Sequence, residues 1–349
     1  MPSGIVDTSH RFFADIVRPL LERHFPDVAA QMACGIFGYG SEALYLDDDL
    51  SRDHHWGLRV DILLPDAMHR QKSSEILARI VPELPVAFDG IALRDAHVSG
   101  HGLAPESLQA FLQRTIGLHD VPQTHAEWLD VPEVDIVHVT NGELWHDPSG
   151  EFSRIRAALL EYYPEPVWLR RISHWCRYAS GMGIYALNRA VLRDNLVYAY
   201  TAFSRCIKWS LELAFLLERT YFPYDKWLYP TFQQLPLAQR MDPLVIEAVR
   251  GDTSWQRRVE LLGGLADILD EKMVALGVIP PHPKFSGSGT SSYRLLEHAY
   301  GAILKRLPED VRSHVPCWDQ VPLEEFHTGY VASIPIEDWD KILHLSPRP

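Results

Sequence analysis

The residues best suited to chemistry fall between Gly38 and Asp61. Gly38-Tyr39-Gly40-Ser41 is followed, after eleven residues at positions 42 to 52, by Asp53-His54-His55. Glycine lets a backbone approach closely, so Gly40 and Ser41 could present N–H groups and a hydroxyl to phosphate oxygens. In an extended segment Asp53 and His55 point the same way. That is how paired ligands are aimed at one cation. A Mg²⁺ bridging a triphosphate takes a few hard oxygen ligands, and metal ions then stabilise the attacking and leaving oxygens of an in-line displacement. Plainer readings stand beside these. Gly40-Ser41 also fits an ordinary strand-end turn, Asp53 a solvated acid like Asp47 to Asp49, and the two histidines a surface pair. Arg52 either pairs with the acidic loop or holds a phosphate.

Two later segments offer partners. Val134 to Asp147 alternates β-branched residues toward Asn141-Gly142, a favoured two-residue hairpin turn. It carries Asp135, His138, Glu143 and Asp147, any of which could orient or deprotonate an acceptor. Asp147 could equally cap a helix starting near Ser149. Lys226, between Tyr224 and Trp227, either snorkels beside an aromatic belt or reaches a triphosphate as a point charge.

Several elements must position these groups. Phe12, Phe13, Ile16, Val17, Leu20 and Leu21 predict an amphipathic helix over 7–24, capped by Asp7 or Ser9. Met32 to Gly38 and Gly57 to Leu64 read as strands. A helix follows around Ser73 to Ile80, then a β-like segment near Pro85 to Leu93 and a helix over 105–118. From Ser149 onward the pattern is helical. The aromatic stripe Phe203, Trp209, Phe215, Tyr221 and Phe222 reads as helix core.

The 349 residues are 46% hydrophobic and 23% charged, enough for a buried core in two domains. Net charge is −13, which repels nucleic acid and anionic lipid and suits a cationic partner better. The stretch Met1 to Asp7 lacks the basic and apolar regions of a secretory signal. The apolar run Leu211 to Phe222 is too short and too charged to span a bilayer. Cys34, Cys176, Cys206 and Cys317 are far apart, as expected of reduced thiols in a cytoplasmic protein.

The Gly-Ser pair, the spacer and Asp53 resemble the core signature of the polymerase-beta-like nucleotidyltransferase superfamily, which includes aminoglycoside nucleotidyltransferases. More specifically, the chain looks like a branch described only as a domain of unknown function. That branch shows a GSGSE segment, an SRDHHWG-type segment, a VTxGxxFHD hairpin and a PYxKWL segment. Here these read Gly38 to Glu42, Ser51 to Gly57, Val139 to Asp147 and Tyr221 to Leu228. The likeness runs from about residue 30 to about residue 240.

The resemblance implies an α/β (α+β) nucleotidyltransferase domain with a small mixed sheet, followed by an all-helical domain; the end of the strand signals near Pro148-Ser149-Gly150 divides them into 1–149 and 150–349. It implies a transfer of a nucleoside monophosphate, AMP from ATP, to a hydroxyl or amine of a small-molecule or protein acceptor. Gly40, Ser41, Arg52 and Lys226 would hold the nucleotide, and Asp53 and His55 the Mg²⁺ or Mn²⁺. Asp53, His138, Glu143 and Asp147 would serve catalysis. No nucleic-acid or membrane partner is expected. The chain departs from the superfamily where His55 stands for a second Asp and His138 for a third acid. Imidazoles soften the site toward Mn²⁺, and Asp53, His55 and His138 could form a two-histidine, one-carboxylate set. The same departures motivate the alternative of a catalytically degenerate nucleotide sensor.

Overall fold

A computed structural model describes residues 4–52, 56–95, 100–282, 296–314 and 316. The chain divides into two compact units, Met1–Pro122 with Glu133–Tyr162, and Gln123–Pro132 with Tyr163–Pro349. The sequence placed the change at 149/150; here the helix Glu151–Leu160 lies in the first unit and the helix His125–Asp130 in the second.

Among the described residues, the first unit holds six strands: β1 Ala33–Ile36, β2 Val60–Leu64, β3 Ala87–Phe88, β4 Ile91–Ala92, β5 Leu103–Ser107 and β6 Glu143–His146. Four of them form a mixed sheet in the order β5-β2-β1-β6. β1 is antiparallel to β2 and β6, with Gly35 opposite Asp61. β5 runs parallel to β2, with Asp61 opposite Ala104. A parallel pair needs a crossover, and the helix Asp66–Ile80 supplies one. Every residue of β1 is buried, as a continuous apolar run in a central strand should be.

The N-terminal helical stretch, Ile5–Phe12, Phe13–Val17 and Arg18–His24, buries Phe12, Phe13, Val17 and Leu21 in this core. It starts earlier than expected, with Gly4 at its N-cap. Neither Asp7 nor Ser9 caps it. Ser9 is buried, and its Oγ accepts the Arg59 N–H at 3.2 Å.

The expected hairpin turn is placed elsewhere in the fold. Asn141-Gly142 is not a hairpin turn. Glu133–Thr140 is a helix, and only Glu143–His146 is a strand. Alternation of β-branched residues yields here to burial of Ile136, Val137, His138 and Val139, which helix Leu108–Ile116 and helix Glu151–Leu160 pack against. The two-residue hairpin lies instead at Asp89-Gly90, joining β3 to β4 with both residues at positive φ, the backbone a type I′ turn demands. Residues 103–107 form β5, and the helix expected from 105 begins at Leu108, where Ser107 Oγ accepts from the Ala110 N–H at 3.2 Å. Pro105 is tolerated because β5 is an edge strand.

The second unit is helical. Its long helix Leu196–Leu217 buries Leu211 through Leu217 continuously; of the aromatic stripe, Phe203, Phe215, Tyr221 and Phe222 are buried and Trp209 half-buried, with Tyr221 and Phe222 beyond the helix end. Arg171, wholly buried, donates to the carbonyls of Trp128, Leu129 and Val131 at 3.1, 3.3 and 2.5 Å. It thereby ties Gln123–Pro132 to the helix Glu165–Arg177. Cys34, Cys176 and Cys206 are buried free thiols, and burial pushes Cys206 up to about 12. Among the described residues, no helix is long and apolar enough to cross a membrane.

Candidate functional site

The loop after β1 is held from below. Gly38 has φ +84°, a conformation that favours glycine. Its N–H donates to Asn141 Oδ1 at 2.9 Å, while its carbonyl accepts from Asn141 Nδ2 at 2.7 Å. His138 Nδ1 lies 3.1 Å from the same carbonyl, and the Tyr39 ring lies over the His138 ring at 4.0 Å between centroids. The Gly142 N–H donates to the Ala43 carbonyl at 2.8 Å. At Gly142, φ is +61° and an added Cβ would sit 1.9 Å from the Ile36 carbonyl oxygen. The Asn-Gly pair thus fastens the end of one helix to the glycine loop.

Helix Glu133–Thr140 ends on a guanidinium. Arg156 donates to the carbonyls of Val139, Thr140 and Asn141 at 2.7 to 2.9 Å. This satisfies carbonyls that a helix end leaves without intrahelical partners. Burial pulls Arg156 down to about 10.

On the other side of the loop stands Arg59, just before β2 and buried at 4% exposure. It donates to the carbonyls of Phe37 and Tyr39 at 2.6 and 2.9 Å, to Glu42 Oε1 at 2.7 Å and to Asp61 Oδ2 at 3.1 Å. Asp61 Oδ2 also accepts the Phe37 N–H at 3.0 Å. Burial pushes the Asp61 carboxyl above its ordinary range, and Arg59 works against that. Glu42 is raised for the same reason, with Arg59 again opposing. An added Cβ on Gly40, at φ +124°, would meet the Glu42 carboxylate at 2.3 to 2.5 Å.

The strand register places Asp61, Leu63, Ala104 and Glu106 on one sheet face. Arg114, from helix Leu108–Ile116, pairs with Glu106 in a two-pronged contact of 2.7 and 2.7 Å. Gly38, Tyr39, Arg59, Asp61, Glu106 and Arg114 line a cavity of about 230 Å³. That is enough for a phosphate-sized group and below the roughly 300–1,000 Å³ typical of small-molecule pockets.

Gly40 and Ser41 sit at this loop, and the Ser41 carbonyl accepts from the N–H groups of Leu44 and Leu46 at 3.1 and 3.0 Å. Arg52 closes the turn Asp49–Arg52. Asp53, His54 and His55 lie outside the described residues. His138 is buried on a helix, not a strand, and burial holds it below the ordinary histidine range. Glu143 accepts from Tyr45 Oη at 3.1 Å and Trp145 Nε1 at 2.8 Å. Asp147 takes the capping arrangement: Oδ1 accepts from Gly150 N–H and Ser149 Oγ at 3.1 and 2.9 Å, and Oδ2 from Ser153 N–H and Oγ at 2.7 and 2.8 Å. Lys226 is exposed in the second unit, its Nζ 4.7 Å over the Trp227 ring.

Sequence reasoning missed Arg59, Glu106 and Arg114 and gave Asp61 no role. The adjacent Arg59 and Asp61 in the strand-like run Gly57 to Leu64 were the available signal, since charges in an apolar strand need partners. As for a metal, Asp61 and Glu106 are each engaged by a guanidinium. The described carboxylates of this cavity therefore do not by themselves make a cation site.

Residues 128–228 match a family described as a domain of unknown function (DUF4037). No curated protein matches the chain. Among solved structures, the chain is similar to a nucleotidyltransferase-like protein from Exiguobacterium sibiricum 255-15, with a TM-score of 0.37 and 11% sequence identity over 83% of this chain and 90% of that one.

Proposed function

We propose that the first unit binds a nucleoside triphosphate, ATP, at the Gly38–Ser41 loop, and that the protein transfers its nucleoside monophosphate to an acceptor. The acceptor is a hydroxyl or amine of a small molecule or protein. In that reaction the acceptor atom bonds to the α-phosphorus, the α–β bridging bond breaks, and pyrophosphate leaves. The observation behind the reading is the register of β2 and β5, which puts Asp61 and Glu106 on one sheet face, where they line a single cavity with Gly38, Tyr39, Arg59 and Arg114. Arg114 is the guanidinium aimed at a phosphate, since its planar fork suits phosphate oxygens as well as it suits Glu106. Asp53 and His55 are the metal ligands of this proposal, for Mg²⁺ or Mn²⁺, as the sequence resemblance implies.

Titration calorimetry with ATP and Mn²⁺, coupled to a pyrophosphate assay, tests it. Binding that weakens at least tenfold in Arg114→Ala, with pyrophosphate release lost in Asp53→Ala, is the expected result. Full pyrophosphate release in Asp53→Ala overturns it.

A second reading has its own support. The cavity carboxylates are already neutralised by arginines, so a degenerate nucleotide sensor needs no metal there. Tight ATP binding without metal and without pyrophosphate release would favour it.

A further inference from the structure

We propose that Asp270, His282 and His298, all in the second unit, form a binding site for a divalent transition ion of the zinc class. Their ligand atoms lie within 4.8 Å of one another. Asp270 stands near the end of the helix Trp255–Ala275, and His298 in the first turn of the helix Glu297–Leu304. His282 comes from the segment between them, where Gly277 at φ +71° ends the first helix and Val278 and Ile279 are buried. Three separate backbone positions therefore converge on one point.

Of the two contacts to the carboxylate, the one from His282 is a hydrogen bond and the one from His298 lacks hydrogen-bond geometry. His282 Nε2 lies 2.8 Å from Asp270 Oδ2, and His298 Nε2 lies 3.0 Å from Asp270 Oδ1. The imidazole rings are 3.9 Å apart between centroids. Asp270 Oδ1 is shut off from solvent and, among the described residues, accepts no hydrogen bond, despite the imidazole nitrogen 3.0 Å away. A carboxylate oxygen and an imidazole nitrogen that close, without hydrogen-bond geometry, are arranged as two ligands are. Tetrahedral zinc with bonds of about 2.0–2.1 Å holds its ligand atoms roughly 3.3 Å apart, so a few tenths of an ångström of opening admits the ion.

The donor set decides the chemistry. Two imidazoles and one carboxylate suit zinc and its transition-metal neighbours, whereas Mg²⁺ and Ca²⁺ prefer all-oxygen shells. Cys176 is no fourth ligand, because its Sγ faces Met273 Sδ at 3.6 Å. Three protein ligands leave a position open for water or another group.

The test uses the full chain carrying His55→Ala, which removes the ligand expected in the first unit and keeps the two sites distinguishable. Co²⁺ titration should give about one equivalent with visible d–d absorption, displaced by Zn²⁺. His282→Gln and His298→Gln should each weaken binding at least tenfold, while His125→Gln should not. Absence of the absorption band, or undiminished binding in both variants, overturns the proposal. Should either variant fail to fold, X-ray absorption at the zinc edge of the zinc-loaded His55→Ala chain decides. Two imidazoles in the first coordination sphere are expected; none or one overturns it.

Discussion

Asn141 grips Gly38 from both sides, its carboxamide accepting the glycine N–H at 2.9 Å and donating to the glycine carbonyl at 2.7 Å. A side chain 103 positions away thus does what a neighbouring strand would do for the backbone of a loop. Asn141→Ala leaves the Gly38 N–H without its acceptor and the Gly38 carbonyl with only the His138 contact, and should cost about 1–3 kcal/mol of stability. Urea unfolding measures it. Because the same contact fixes the proposed phosphate loop, ATP affinity should fall too. A variant with unchanged unfolding midpoint would mean that the loop finds its conformation without the clamp.

Gly142 is the second half of that fastening. Alanine there meets the Ile36 carbonyl oxygen at 1.9 Å and must also accept φ +61°. Overpacking against backbone and left-handed strain both count against it, so Gly142→Ala should destabilise by about 3 kcal/mol or more. Gly117, also at positive φ but with nothing within 4 Å, is the control. Gly117→Ala carries the strain without the clash, and thermal melts of the two should separate clearly.

Apolar spacing and turn pairs differ in what they report about the fold. The helix Ile5–Phe12 with its continuation, the strands β1 and β2 and the helical second unit were legible because their apolar spacing reports burial directly. Asn141-Gly142 misled because an Asn-Gly pair states only that positive φ is tolerated, and a helix end uses that as readily as a hairpin. Asp89-Gly90 carried the same signal and did make the hairpin. Glu106 was illegible for a different reason. Its place on the same sheet face as Asp61 arises from a parallel register, fixed by a crossover that no local pattern records.

The buried Arg59 joins two half-buried carboxylates to the loop carbonyls. Removing one partner of a buried ion pair leaves an uncompensated charge, which typically costs 3–5 kcal/mol. Arg59→Met should therefore destabilise by about that much. Asp61→Asn added to it should recover part of the loss, and a double-mutant cycle reads the difference. Additive losses would show that the carboxylate and guanidinium are not coupled.

His138 gives the first unit a pH-sensitive element. Burial favours its neutral form, so its folded pKa lies below the unfolded value of about 6.5. The sign follows: its contribution is present above about pH 6.5 and is lost as pH falls through the lower folded value. Melting temperature should thus fall more steeply between pH 7.5 and 5 for the wild type than for His138→Gln. Parallel slopes would assign the acid sensitivity elsewhere.

The expected metal ligands make a last prediction. Asp53 and His55 lie outside the described residues, and their role rests on the sequence resemblance. An imidazole in place of a carboxylate lowers the negative charge at the cation and supplies a softer donor, which favours Mn²⁺ over Mg²⁺. The imidazole must also be neutral to bind, so metal affinity should weaken below about pH 6.5. At equal concentration, Mn²⁺ should support more ATP binding and pyrophosphate release than Mg²⁺, and His55→Asp should move the preference back toward Mg²⁺. The second-unit site must be silenced in this comparison, so both proteins should carry His298→Gln. If His55 points away from the cation, His55→Asp leaves the preference where it was, and the pH dependence of metal binding does not change with the substitution.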